Sequence, residues 1–253
     1  MTGQRILVTR PTDQAPELSA RLAERGLEPV VVPTVAIDTD STAAELDAML
    51  SSLDGADWLV VTSANGAAAL GERLAAGTRQ LPDTVRVAAV GPTTAAALAD
   101  SGIAVDHVPD EYLTVAIAGG LGDVTGRRVV LARADGATPD LREALVAEGA
   151  RVEEVAAYRT IEGPAESRDA LHVAIHQDLA GIAFTSSSTV RGLLRLASPT
   201  DRHRARAIPA FCIGPVTAAT ARSSGFDVEA VADDHTTTGL ADAIADRLRN
   251  GDR

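Results

Sequence analysis

The chain is written twice. Displaced by 123 positions (128 − 5), it falls back on itself without a gap: RILVTR (5–10) meets RVVLAR (128–133), and Gly26 meets Gly149. VTS (61–63) meets FTS (184–186), AVGPTTAAALADSGI (89–103) meets CIGPVTAATARSSGF (212–226), and Asp110 and Thr114 meet Asp233 and Thr237. Solenoid repeats run to about 20–50 residues, so a period this long marks a duplicated half-protein. The matched residues are strand cores, turn glycines and hydroxyls just after strands, which predicts two similar α/β units. A cleft between two such units is where a ligand is expected.

At 253 residues the chain allows one large domain or two of about 125. Hydrophobic residues make up 45% of the chain but aromatic ones only 2%, so the core is built from Ala, Val, Leu and Ile, which suits buried parallel strands. The net charge of −12 argues against nucleic acid or an anionic membrane as partner. All 23 basic residues are arginine, which excludes Schiff-base lysines, pyridoxal phosphate lysines and the P-loop lysine. The one cysteine, Cys212, permits no internal disulfide and no thiolate cluster, and it lies in an apolar run that reads as core. With neither an apolar leader nor about 18 uninterrupted apolar residues, the chain is expected to be soluble and cytoplasmic.

Short apolar runs predict strands at 6–9, 29–32, 58–62, 85–90, 105–108, 129–132, 152–155, 181–185, 210–213 and 228–231, with helical patterns between them. That alternation specifies an α/β protein with mostly parallel sheets. Gly26, Gly102, Gly149 and Gly225 stand where helices close before the next strand. Thr138 before Pro139 reads as a capped helix start. Two stretches break the alternation: PTVAIDTD after Val32 and AAYRTIEG after Val155. As an extended pair outside both sheets they would form a two-stranded ribbon between the units.

Hydroxyls cluster where strands give way to helices. Thr62-Ser63-Ala64-Asn65 pairs with Thr185-Ser186-Ser187-Ser188, and Gly91-Pro92-Thr93-Thr94 with Gly214-Pro215-Val216-Thr217. Such residues cap helices everywhere. Yet the ligand crevice of an open α/β sheet lies at the carboxyl ends of its strands, and helix N-termini there offer N–H groups to an anion. Four turns in two matched pairs favour an anionic ligand. Arg10 and Arg133 end the first strand of each half, either solvated and paired with an acid or clamping a carboxylate. Tyr158 is either a structural tyrosine or a neutral proton donor. His172 and His176 are spaced i, i+4 but lack the glutamate of HExxH, so they read as a solvated helix face and no metal site is expected. GGLGDVTG (119–126) precedes a strand where a dinucleotide loop would follow one. No Ser/His/Asp arrangement is legible.

VTRP near the start, TSANGA, VGPTTA, VAAYRT, FTSSS, IGPVTA and HTTTGL, in this order over residues 4–248, resemble the uroporphyrinogen-III synthase family. The resemblance implies two flavodoxin-like domains with parallel sheets, joined by a two-stranded antiparallel β ribbon. Domain 1 would comprise 1–34 plus 161–253 and domain 2 residues 39–156, with inter-domain connectors at 33–38 and 156–161. It implies cyclisation of hydroxymethylbilane, a linear tetrapyrrole with eight carboxylates, to uroporphyrinogen III with inversion of ring D and loss of water. That is a lyase reaction of heme biosynthesis needing no cofactor. Tyr158 matches the connector tyrosine proposed to assist departure of the hydroxyl. Thr94, Ser63, Ser186 and either Thr236 or Thr237 match the family's substrate contacts. Arg10, Asn65, Gly91, Arg133, Ser187, Gly214 and Thr217 complete the candidate substrate-binding set, and the expected state is a monomer. Rival readings are a two-lobed tetrapyrrole-binding sensor without turnover and a two-domain glycosyltransferase. The first is weakened by the lack of an appended helix-turn-helix, the second by small size and the missing nucleotide fingerprint.

Overall fold

The computed structural model describes residues 3–77, 80–109 and 116–251; Asp110 and Thr114 of the repeat lie outside them. The chain divides into two compact units, residues 1–36 with 161–253, and residues 37–160. It begins with β1 (Arg5–Val8), α1 (Ala15–Ala23) and β2 (Glu28–Val31), and passes into the second unit on β3 (Val35–Asp38). There a 3₁₀ turn (Asp40–Thr42) leads to α2 (Ala43–Ser51), β4 (Trp58–Val61), α3 (Ala64–Ala76), β5 (Arg86–Ala89) and α4 (Pro92–Asp100). Next come α5 (Ala116–Gly120), β6 (Arg128–Ala134), α6 (Asp140–Ala147) and the long β7 (Arg151–Glu162), on which the chain returns. The first unit is completed by a 3₁₀ turn (Ala165–Ser167), α7 (Arg168–Ile175), β8 (Gly181–Phe184), α8 (Ser187–Leu196) and α9 (Pro199–Arg206). β9 (Ala210–Cys212), α10 (Pro215–Ser223), β10 (Val228–Val231) and α11 (Thr237–Gly251) follow.

The first sheet has the order β10-β9-β8-β1-β2, with every adjacent pair parallel. The second has the order β3-β7-β6-β4-β5. The 123-residue offset maps β1, β2, β8 and β9 onto β6, β7, β4 and β5, so these four strands keep one spatial order in both sheets, while β10 and β3 are added at opposite edges. After the edge strand β3, the second unit starts its copy of this order at β4, the strand equivalent to β8, a circular permutation of the first. The two stretches that break the alternation do pair: PTVAIDTD supplies β3, at the sheet edge beside β7, and AAYRTIEG continues β7 itself, so the pair belongs to the second sheet.

Alternation along each buried strand explains how both faces are covered. Ile6 and Val8 pack with Ala183 and Phe211 against α1 and α11. Leu7, Ile182 and Phe184 face the other way, toward α7, α8 and α10. In the second unit Leu59, Val61, Val130 and Ala132 meet α2, α3 and α4, while Trp58, Val60, Val129 and Leu131 meet α5 and α6. Strands buried on both faces read as unbroken apolar runs, which is why they were legible.

The run 105–108, expected as a strand, forms only an isolated parallel bridge between Ala88 and His107. The Asp106 carboxylate accepts the Val87 N–H at 2.7 Å, and this local side-chain bond competes with a ladder. Its counterpart Glu229 pairs with Arg247 instead, and β10 survives. The second correction is Thr138. Helix α6 starts at Asp140, and the Thr138 hydroxyl donates to the Asp140 carboxylate at 2.9 Å in place of capping a backbone N–H. The four helix-closing glycines all have positive φ, from 75° to 88°. Gly192 has a different reason to be glycine: a Cβ there would lie 1.9 Å from the Thr34 carbonyl oxygen, so only glycine lets the segment after β2 settle on α8.

Candidate active site

In parallel sheets every strand ends at the same edge, and the first unit gathers its hydroxyls there. Thr9, just past β1, is buried and donates to the Ala183 carbonyl at 2.7 Å, tying β1 to β8. After β8, Ser186 is the N-cap of α8: its Oγ accepts from Thr189 N at 3.2 Å, and Ser186 N donates to Thr189 Oγ1, closing a capping box. Ser188 Oγ lies 3.3 Å from Ser186 Oγ, and Ser187 Oγ lies 2.7 Å from Thr220 Oγ1 on α10. After β9, Gly214 is the extended N-cap of α10 with no side-chain cap, and Thr217 is buried one turn in. After β10, Thr236 Oγ1 accepts from Gly239 N at 3.0 Å, and the Thr237 hydroxyl donates to Glu17 at 2.6 Å. Thr236 therefore caps α11, while Thr237 joins α11 to α1.

The second unit repeats the edge with different detail. Ser63 caps α3 by accepting from Gly66 N at 3.0 Å, and Asn65 follows in its first turn. Gly91 is the N-cap of α4 without a side-chain cap, and Thr94 is buried in the first turn. Gly91 and Gly214 thus leave helix N–H groups uncapped by side chains, the arrangement suited to an anion.

Tyr158 lies on β7 with 7% of its surface exposed, its ring packed into the core on the α2, α3 and α4 face. Its carbonyl accepts from Asp135 N at 2.9 Å, and among the described residues no hydrogen bond reaches its hydroxyl. The body of the side chain is structural; the phenol is uncommitted.

Arg133 lies near the end of β6, in the interior. It is 3% exposed, paired with Glu154 at 2.9 Å, and its Nη2 donates to the Thr138 carbonyl. The guanidinium ties the turn after β6 to β7, and its Nε and Nη1 are buried without a hydrogen-bond partner. Arg10 is held more loosely, by Glu17 and Gln14 at 3.4 Å. A cavity of about 1040 Å³ in the second unit, lined by Gly71, Leu74, Val85, Arg86 and Ile103, lies at the amino end of β5, away from these turns.

The family model described as uroporphyrinogen-III synthase HemD matches residues 16–242. The chain belongs to the uroporphyrinogen-III synthase family. A uroporphyrinogen-III synthase of Synechococcus elongatus is 32% identical over 252 residues, covering 96% of this chain and 95% of that protein. The crystal structure of a mutant uroporphyrinogen III synthase from the extremely thermophilic bacterium Thermus thermophilus aligns at a TM-score of 0.68 with 21% identity, over 98% of this chain and 100% of that one. The uroporphyrinogen-III synthetase of Helicobacter pylori aligns at 0.63 with 14% identity, over 99% and 100%. These two structures share the fold.

Several partners at the candidate site were not singled out from sequence. Glu17 receives both Arg10 and Thr237, and Thr220 holds Ser187. Glu154 had a signal, since it stands beside the arginine strand while its counterpart at −123 is Val31. His172 and His176 are not a merely solvated face; both turn to Asp201. Burial alone would raise the Asp201 carboxyl, but hydrogen bonds from Ser198, His172 and His176 outweigh it and hold it at about 2. Cys212 is buried, and burial pushes its thiol up to about 11, as fits a core residue. Among the described residues no helix is long and apolar enough to cross a membrane.

Proposed function

We propose that this chain cyclises hydroxymethylbilane to uroporphyrinogen III, inverting ring D and releasing water, and does so without a cofactor. The observation that carries the reading is the pair of side-chain-free helix starts at Gly91 and Gly214, flanked by the Ser63 and Ser186 caps at matched positions. Neutral donors and helix N-termini suit a substrate with eight carboxylates, because they attract anions without bringing neutralising side chains into an acidic chain. We further propose flavodoxin-like domains spanning 1–34 plus 161–253 and 39–156, with an antiparallel ribbon at 33–38 and 156–161.

The substrate's own pyrrole nitrogen pushes electrons to expel the hydroxyl group, so the chemistry needs no external electron sink. Tyr158 protonates that hydroxyl as its C–O bond breaks, giving water. The resulting phenolate is reprotonated by the proton lost when the pyrrole regains aromaticity. Unaided closure leaves ring D uninverted; holding the chain so that the substituted carbon of ring D attacks first is catalysis by positioning. Gly91, Thr94, Gly214 and Thr217 line the helix starts that hold carboxylates, with Ser63, Asn65, Ser186, Ser187, Thr236 and Arg10 beside them. Purified chain incubated with hydroxymethylbilane and chelator should yield the type III isomer. Formation of the type I isomer alone, at the spontaneous rate, would sink the assignment.

A further inference from the structure

Two imidazoles outside the candidate site converge on one buried carboxylate. His172 lies on α7 and His176 caps its carboxyl end, so their spacing sets both rings on one side of the helix. Asp201 is in the first turn of α9, its side chain 6% exposed. Its Oδ1 lies 3.1 Å from His172 Nδ1 and 3.0 Å from His176 Nε2, with ring centroids 4.5 Å apart. Ser198 Oγ donates to Oδ2 at 2.8 Å while accepting the Asp201 N–H at 3.2 Å, which fixes the carboxylate's orientation.

We propose that His172, His176 and Asp201 form a binding site for a single divalent transition ion of the zinc class. The three ligand atoms lie within 4.8 Å of one another. A tetrahedral ion with ligand bonds of about 2.0–2.1 Å holds its ligand atoms roughly 3.3 Å apart. The two His–Asp spacings therefore widen by a few tenths of an ångström, while the two ring nitrogens, within 4.8 Å of each other, draw together through side-chain rotation. Two imidazoles and one carboxylate select zinc, cobalt, nickel or copper over magnesium and calcium, which take oxygen ligands. Ser198 supplies the outer hydrogen bond that ligating carboxylates use to hold their orientation. His172 is 59% exposed, which leaves the solvent side open for entry and for water as a fourth ligand. A bound ion would take the two ring nitrogens that now face Oδ1, each neutral imidazole carrying its proton on the other nitrogen, and would lock α7 to α9.

The place is distinct from the candidate active site. His176 comes shortly before β8 begins at Gly181, at the amino end of the first sheet, whereas Ser186 and Gly214 follow strand ends. The ion's role is therefore that of a clamp, independent of the proposed reaction.

Chelator-stripped full-length chain titrated with Zn²⁺ should bind one equivalent and melt at a higher temperature. Co²⁺ in its place should give the intense visible bands of a tetrahedral site. His172→Gln and His176→Gln should each weaken binding by about tenfold or more, since even outer-partner losses reach that range, and should cancel the thermal shift. Glutamine keeps a side-chain donor for the buried Asp201 carboxylate, and the metal-free melt of each variant checks that it folds. His203→Gln, elsewhere on α9, should bind as wild type does. Binding well below one equivalent, equal affinity in wild type and His172→Gln, or loss of binding in His203→Gln would overturn the site.

Discussion

The two units share one strand order but use equivalent side chains for different work. Arg10 and Arg133 end equivalent strands, yet the neighbouring strand offers Val31 beside β1 and Glu154 beside β6 at the same register. Arg133 sinks into a pair with Glu154 at 2.9 Å, whereas Arg10 meets the Glu17 carboxylate only at 3.4 Å and keeps 16% of its side chain exposed. The same holds where the connectors leave the sheets. In the first unit Thr34 donates to the Thr189 carbonyl at 2.8 Å over Gly192, whereas the counterparts of Thr34 and Gly192 are Ala157 and Ala69. Duplication copied the frame. The copies differ in the residues beside the matched positions.

Tyr158 offers the largest test of that difference, because its counterpart is Val35 and the first unit has no phenol to substitute for it. Tyr158→Phe should lower kcat by about 10²-fold, the lower end of general acid catalysis. Because no described residue bonds the hydroxyl, its melting temperature should stay at the wild-type value. A variant with unchanged kcat that still makes the type III isomer would remove the proton donor from the scheme and leave positioning alone. Next in size is Gly192→Ala, which converts the first unit to the residue the second carries at Ala69. Its Cβ meets backbone that must move, so it should cost about 1–3 kcal/mol in denaturant unfolding. Wild-type stability in that variant would show that Thr34 has room to withdraw.

The strands, the closing glycines and the caps at Ser63 and Ser186 were legible because each depends on local sequence: apolar runs, positive φ and hydroxyls before helices. What escaped were the properties that depend on a neighbour distant in sequence. Arg133 looked like a twin of Arg10 because strand register against Glu154 is invisible in a period count. The strand at 105–108 failed because Asp106 captures the Val87 N–H, a bond that apolar patterning does not report. His172 and His176 looked solvated because Asp201 comes from another helix. The edge position of β3 likewise follows from sheet order, which spacing alone does not specify.

A smaller contrast lies in the strands themselves, where Cys212 stands opposite Ala89 in the repeat. With its thiol buried and pushed up to about 11, Cys212 should resist a thiol reagent at pH 8 in the native state and react fully once unfolded. Rapid native labelling would mean that β9 opens far more readily than the core around it.

The division of labour between the two edges is tested most directly by Arg10→Met and Arg133→Met, each measured for kcat/KM with hydroxymethylbilane and for melting temperature. Arg133→Met should cost about 2 kcal/mol, below the roughly 3–5 of a fully buried pair, since Glu154 is 36% exposed and regains water. That corresponds to a fall of about 4–8 °C, with kcat/KM of the folded fraction within about threefold of wild type. Arg10→Met should melt within about 0.5 kcal/mol of wild type. It should also lose about tenfold or more in kcat/KM, as removal of a charge-assisted hydrogen bond to a carboxylate does. The opposite pattern, with Arg133→Met stable but slow and Arg10→Met unstable but fully active, would contradict the account.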